Sequence, residues 1–281
     1  MKPDHQAIIM DVRRALDEDI GTGDATAKLL PADLVVNAVI ISREPMLVCG
    51  RDWVDCAFAE VDKAIKVVWD VDEGEWLAKP TTLCHIAGIA RSLLTAERTA
   101  LNFLQTLSGT ATQTHHYLQQ LHGYKTRLLD TRKTLPGLRR AQKYAVSCAG
   151  GLNHRMGLYD AYLIKENHIK ACGSIRGAIA LARQLHENLF VEIEVESLDE
   201  LREALDASPD RIMLDNFSLP MIVSAVAMNQ STHCELEVSG GVDLSTIAAI
   251  AQTGVDYISV GAMTKSVQAI DLSLLIEKLC E

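Results

Sequence analysis

Residues 189–216 read LFVEIEVESLDELREALDASPDRIMLDN. Leu189–Val195 ends in an alternation of apolar and acidic side chains with period two, the pattern of an extended strand. Leu198–Ala207 then carries apolar residues at helical spacing. Arg211–Leu214 is extended again and runs into Asp215-Asn216. A strand, a helix and a second strand in this order imply parallel strands joined by a right-handed crossover.

Working outward, the same alternation repeats. Further strands are predicted at Thr126–Asp130, Ala161–Ile164, Cys234–Val238 and Tyr257–Val260. Helices are predicted at Leu138–Ala149, Ser174–Glu187, Leu219–Met228 and Leu244–Thr253. Six parallel strands suit a barrel or a doubly wound sheet, and the strand ends separate the two. These ends are Asp130-Thr131-Arg132-Lys133, Lys165-Glu166-Asn167-His168, Glu194-Val195-Glu196-Ser197, Asp215-Asn216, Ser239-Gly240-Gly241 and Ser259-Val260-Gly261-Ala262. All six carry residues capable of chemistry. A doubly wound sheet uses mainly the ends beside one switch point, whereas every strand of a barrel ends at one mouth. The expected fold is therefore α/β with a barrel of parallel strands.

The N-terminal part has another texture. A helix is expected over residues 7–19, ending at Gly21-Thr22-Gly23-Asp24, with Asp24 as a turn or capping residue. Residues 34–88 read as β-rich, with strands at Val35–Ser42, Met46–Cys49, Lys66–Val71 and Cys84–Ala87. Ala90–Leu121 returns to helical spacing, and Ser108-Gly109-Thr110 is expected to divide it into two helices.

The chain has 281 residues, 48% hydrophobic and 23% charged, which excludes disorder and low complexity. No apolar run approaches the roughly 18 residues of a membrane span, and Met1–Ile20 lacks the form of a secretory signal, so the expected location is the cytoplasm. Seven cysteines without a C-x-x-C pair read as reduced small hydrophobes. Cys148 is the one thiol considered as a nucleophile, and nothing nearby in sequence supports it. The net charge of −10 argues against a broad nucleic-acid surface. Lys125–Lys170 nevertheless holds ten Lys and Arg against three Asp and Glu, a local charge of +7. Such a region in an acidic protein is either a pocket for a small anion or a solvated basic face.

Arg132, Lys133, His154, Arg155, Lys165 and Arg98 form the candidate anion-binding set, since Arg grips a carboxylate through two hydrogen bonds and Lys acts as a point charge. Arg139, Arg140 and Lys143 share a helix and read as a solvated face. Glu192, Glu194 and Glu196 share one strand face, and Glu235 and Glu237 repeat the pattern. Inner-face carboxylates need cations, because unpaired buried charge is costly. Glu192 and Glu235 are expected to be structural, paired with Lys165 or Arg132. Glu194 and Asp215, nearer the mouth, are candidates for Mg²⁺ or sugar hydroxyls. Ser239, Gly240, Gly241 and Gly261 follow the last two strands, where barrels commonly hold phosphate on backbone N–H groups.

Taken in order, Gly23-Asp24-Ala25-Thr26, Glu97-Arg98-Thr99-Ala100-Leu101-Asn102, Asp130-Thr131-Arg132-Lys133-Thr134-Leu135-Pro136-Gly137, Gly150-Gly151-Leu152-Asn153-His154-Arg155 and Leu163-Ile164-Lys165-Glu166-Asn167-His168 resemble the quinolinate phosphoribosyltransferase family across essentially the whole chain. The resemblance implies an N-terminal open α/β sandwich over residues 1–110. It implies a seven-stranded α/β barrel over 111–281, with the last helix packing back on the first domain. It further implies a homodimer, Mg²⁺, and transfer of phosphoribose from phosphoribosyl pyrophosphate to quinolinate with loss of CO₂. On it, Arg132, His154, Arg155 and Lys165 bind quinolinate, with Arg98 entering from the partner subunit. Lys133 reaches the phosphoribosyl donor, Glu194 and Asp215 hold ribose hydroxyls and Mg²⁺, and Ser239–Gly241 with Gly261 take the 5′-phosphate. Lys265 departs from the family, in which many members carry His. The alternatives are a relative acting on another aromatic acid or associated with molybdate transport, a barrel aldolase using Lys165 as a Schiff-base amine, and a nucleotide-sensing module.

Overall fold

A computed structural model describes residues 3–279 apart from His233. The strands in chain order are β1 (Val35–Ser42), β2 (Met46–Leu47), β3 (Lys66–Trp69), β4 (Trp76–Leu77), β5 (Thr82–Ile89) and β6 (Arg127–Leu129). They continue with β7 (Tyr162–Ile164), β8 (Val191–Val195), β9 (Arg211–Asp215), β10 (Glu235–Ser239), β11 (Tyr257–Ser259) and β12 (Leu272–Leu279). Contacts divide the chain into two compact units. One takes the chain up to His115, Leu135–Gly150 and the stretch from Ser266 on; the other takes His116–Thr134 and Gly151–Lys265. The boundary is thus discontinuous, where the sequence suggested a single cut after residue 110.

The first unit is built on an antiparallel sheet in the order β12-β1-β5-β3. Its last strand corrects an expectation, because the C-terminal segment is extended and pairs with β1 (Ile40 opposite Leu274) instead of packing back as a helix. Leu272 and Leu274 meet the core while Leu275 and Ile276 are exposed, and the free edge of β1 supplies the backbone partners. The first helix, His5–Ile20, buries Ile8, Val12 and Leu16 one turn apart. The Asp4 carboxylate caps it by accepting from Ala7 N at 2.7 Å.

Two further expectations need correcting. A helix, Arg51–Val61, interrupts the region read as β-rich; Trp53, Val54, Ala57 and Phe58 are buried at helical spacing. Ser108-Gly109-Thr110 does not break the long helix, which runs unbroken over Ala90–Gln120. The Ser108 hydroxyl donates to Cys49 O and accepts from Cys49 N, both at 3.0 Å, and so does not compete for its own helix backbone. Gly109 is there for a close approach: a Cβ would stand 2.2 Å from Gln268 O. Lys143 is also not on a solvated face but fully buried in the helix Arg139–Cys148. Asp24 does act as a turn residue, accepting from Ala27 N at 2.9 Å.

The second unit holds six parallel strands in the order β6-β11-β10-β9-β8-β7. A parallel bridge from Leu129 to Leu152 adds a seventh extended position beside β6, which the sequence pattern misses because only one residue pairs. Helices connect the strands, and Ser174 and Ser197 cap two of them by accepting from Gly177 N (3.0 Å) and Glu200 N (3.2 Å). A flat sheet of six strands at about 4.8 Å spacing would separate its outer strands by about 24 Å. Residues following both outer strands line one small cavity, so the sheet is curled as a barrel. Among the described residues, no helix is long and apolar enough to cross a membrane.

Candidate active site

The cavity at the C-terminal ends of the barrel strands has a volume of about 230 Å³. Thr131, Arg132 and Lys133 reach it from the end of β6, Lys165 from β7, Glu194 from β8, Asp215 from β9, Ser239 from β10 and Ser259 from β11. His154 and Arg155 enter from the segment after Leu152, and Leu163 and Met213 supply apolar wall. Eight of the expected site residues (Arg132, Lys133, His154, Arg155, Lys165, Glu194, Asp215 and Ser239) therefore line one space.

Local structure explains each placement. Asp130 is fully buried, and its carboxylate accepts from His154 N at 2.9 Å and Asn153 Nδ2 at 2.6 Å, which fixes the loop presenting His154 and Arg155. Arg155 donates to Ala161 O at 3.3 Å. Burial, with the like charge of Arg132 next, pushes the Arg155 guanidinium below its ordinary pKa. Lys165 precedes the helix Glu166–Cys172; its N–H donates to His168 Nδ1 at 2.9 Å, and its ammonium contacts Glu194 Oε2.

Opposite this wall, the carboxylates of Glu194, Glu196 and Asp215 lie within 4.8 Å of one another. Partial burial, then the charge of Glu194, raises the pKa of Asp215. Asn216 adopts φ +55° and donates to Asp215 Oδ2 at 2.8 Å. Gly240, at φ +94°, leaves room for it, since a Cβ there would stand 2.2 Å from Asn216 Oδ1. Gly241 is at φ +63° with open space around it. A Cβ at Gly261 would stand 3.0 Å from Lys133 Cδ, and Thr264 Oγ1 donates to Lys133 O at 2.8 Å. Ser239 thus lines the cavity, while Gly240 and Gly261 pack against Asn216 and Lys133 behind it. Arg98 lies on the helix Ala90–Gln120. Lys265 ends a short helix, Ala262–Lys265.

Beneath the cavity lies a charged layer the sequence only half revealed. His154 Nε2 is 2.8 Å from Glu192 Oε2 and 3.6 Å from Glu237 Oε2. His154 Nδ1 accepts from Arg155 N at 2.8 Å, which orients the ring with its other nitrogen toward the buried glutamates. Burial raises the carboxyl pKa of Glu192 to about 7 and that of Glu237 to about 8. Arg211 pairs with Glu235 at 2.7 Å and Glu237 at 3.3 Å, its guanidinium 3.9 Å from the Tyr257 ring centroid. Arg211 and His154 thus serve the structural glutamates. Arg211 was legible as the cation opening a strand between two acid-bearing strands.

Clustered cations facing carboxylates and glycine loops, on a barrel mouth, define an anion-handling α/β-barrel enzyme site. Residues 24–108 match the quinolinate phosphoribosyl transferase N-terminal domain, and residues 110–275 match the C-terminal domain of the same family. The chain belongs to that family. It is 42% identical to the nicotinate-nucleotide pyrophosphorylase [carboxylating] of Mycobacterium leprae over 94% of this chain and 95% of the relative. It is 40% identical to a probable enzyme of the same name from Bacillus subtilis over 92% and 89%. The solved nicotinate-nucleotide pyrophosphorylase of Francisella tularensis superposes with a TM-score of 0.95 at 49% identity, covering 98% of each chain.

Proposed function

We propose that this chain transfers phosphoribose from phosphoribosyl pyrophosphate to quinolinate with decarboxylation, giving nicotinate mononucleotide, pyrophosphate and CO₂ for NAD biosynthesis. The observation that carries it is the juxtaposition of Arg132, Arg155 and Lys165 with Glu194 and Asp215 across one cavity in a member of this family. Two adjacent carboxylates on a small ring need several cations, and this wall offers three.

Arg132, Arg155 and Lys165 grip the carboxylates and orient the pyridine nitrogen toward ribose C1, which converts encounter into an aligned complex. Lys133 receives the charge developing on the departing pyrophosphate. The C1–O bond breaks as the N–C1 bond forms, and the ring becomes a pyridinium. That ring accepts the electron pair when the C2–carboxylate bond breaks, after which a proton adds at C2. Grip on the retained 3-carboxylate favours this step, whereas stabilising the departing group would slow it. His154, held against Glu192, serves as a hydrogen-bonding wall. Backbone N–H groups at Ser239–Gly241 and Gly261 take the 5′-phosphate.

Glu194, Glu196 and Asp215 offer only oxygen ligands within one small radius, a donor set suited to Mg²⁺. Glu194 and Asp215 would hold the ion, which when bound neutralises charge on the diphosphate. The active form is a cytoplasmic homodimer in which Arg98 of one copy completes the quinolinate site of the other. The test is incubation with quinolinate, phosphoribosyl pyrophosphate and Mg²⁺: CO₂ is released stoichiometrically with pyrophosphate. Turnover of nicotinate without CO₂ would instead favour a relative acting on another aromatic acid.

A further inference from the structure

A second cavity, of about 450 Å³, lies beside the first in the same unit. The two share Arg132, Arg155, Leu163 and Lys165, and beyond that wall their linings diverge. The first is faced by carboxylates and hydroxyls. The second is faced by Leu158, Ile164, Tyr162, His168, Cys172 and a stripe from the helix Ile175–Leu185 formed by Ala178, Leu181 and Leu185. The stripe residues lie three or four positions apart and so fall on one face of the helix. The space exists because β7 is an outer strand of the sheet, so no described strand covers its free side.

Its mouth is apolar and open: Leu158 is 73% exposed, Leu181 44% and Leu185 60%. Large aliphatic side chains gathered at one opening mark an interaction site more often than chance. Cations at one end and a mainly apolar lining beyond them are complementary to a molecule with one charged head and an apolar body. Quinolinate, small and doubly charged, has no use for the aliphatic part. The volume lies within the range of about 300–1,000 Å³ common for small-molecule sites.

We propose that this cavity binds carboxylic acids carrying a single carboxylate on an aryl or alkyl body. The carboxylate takes the Arg132–Arg155–Lys165 wall, and the body lies along the Ala178–Leu185 stripe. Such acids exclude quinolinate. The proposal rests on the reading that those three cations hold the carboxylates of quinolinate.

The test is calorimetric titration of the full chain with 4-biphenylcarboxylate, with benzoate as the bodiless comparison. Biphenylcarboxylate binds at least about tenfold tighter than benzoate, as burial of one further ring warrants, and quinolinate displaces it. Leu181→Glu and, separately, Leu158→Glu weaken the probe about tenfold or more while the quinolinate KM stays within about twofold. Both positions are exposed, so neither charge burdens the core. Equal affinity for the two acids, failure of quinolinate to displace the probe, or unchanged probe binding in both variants overturns the proposal. Absence of turnover with quinolinate would sink the substrate reading alone, because probe binding is measured without turnover.

Discussion

Replacing Arg211 by Met removes the guanidinium that faces Glu235 at 2.7 Å and Glu237 at 3.3 Å inside the barrel. Glu192 and Glu237 are buried, and both also face His154 Nε2. Breaking a buried ion pair from one side costs about 3–5 kcal/mol. The cost depends on pH in a defined direction. The two carboxyls stand near 7 and 8 in the folded protein against an ordinary 4.5, so between these values the folded state binds more protons than the unfolded state. Their contribution to stability is complete below pH 4.5 and is lost as pH rises through about 7 to 8. Without Arg211 both carboxyls rise further, so the deficit of the variant is greatest at about pH 8 and shrinks to half or less at about pH 5.5, where the acids are protonated. Urea unfolding followed by far-ultraviolet circular dichroism at the two pH values measures it. Arg211→Met/Glu237→Leu should recover most of the loss, since both partners are then gone. A cost under about 1 kcal/mol at the higher pH, or one equal at both, would refute the assignment of Arg211 as counter-charge to this layer.

Arg155→Ala should lower kcat/KM for quinolinate by about ten- to a hundredfold, the worth of a charge-assisted hydrogen bond of about 1.5–3 kcal/mol. Steady-state kinetics with each substrate varied would check this, and the KM for phosphoribosyl pyrophosphate should change little. Gly240→Ala drives a Cβ to 2.2 Å from Asn216 Oδ1 at φ +94°; strain of about 1–3 kcal/mol should appear as a lowered melting temperature together with a raised KM for the phosphoribosyl donor. Among the thiols of the described residues, labelling near neutral pH should modify exposed Cys172 first. Cys148, half-buried and held down by its bond with Cys49, follows. Cys84 and Cys234, pushed up to about 12 by burial, should react only on unfolding, and peptide mass spectrometry resolves the order.

The barrel was legible because its evidence is local: each strand is a short apolar run, and each ends in residues that make sense only at a common mouth. Those same ends named most of the cavity, from Arg132 to Ser239. Other features depended on distance along the chain. The strand β12 is defined by an edge left open by β1, which no window around Leu272 contains. Gly109 reads as a helix breaker until the backbone of Gln268 is seen against it. The helix Arg51–Val61 was readable from Trp53, Val54, Ala57 and Phe58, but neighbouring strands and glycines masked its period. The contact of His154 with Glu192 joins distant stretches of the chain and could not be read from composition.

The pairing of β1 with β12 also sets a timetable for synthesis. Val35–Ser42 leaves the ribosome about 230 residues before its outer neighbour Leu272–Leu279 exists. At about 5–20 residues per second, that edge waits on the order of ten to fifty seconds for its mate. During the interval a stretch reading VVNAVIIS offers unmatched amide and carbonyl groups to any passing chain. Expression at high level, or truncation of the last ten residues, should therefore load chaperones before it affects catalysis.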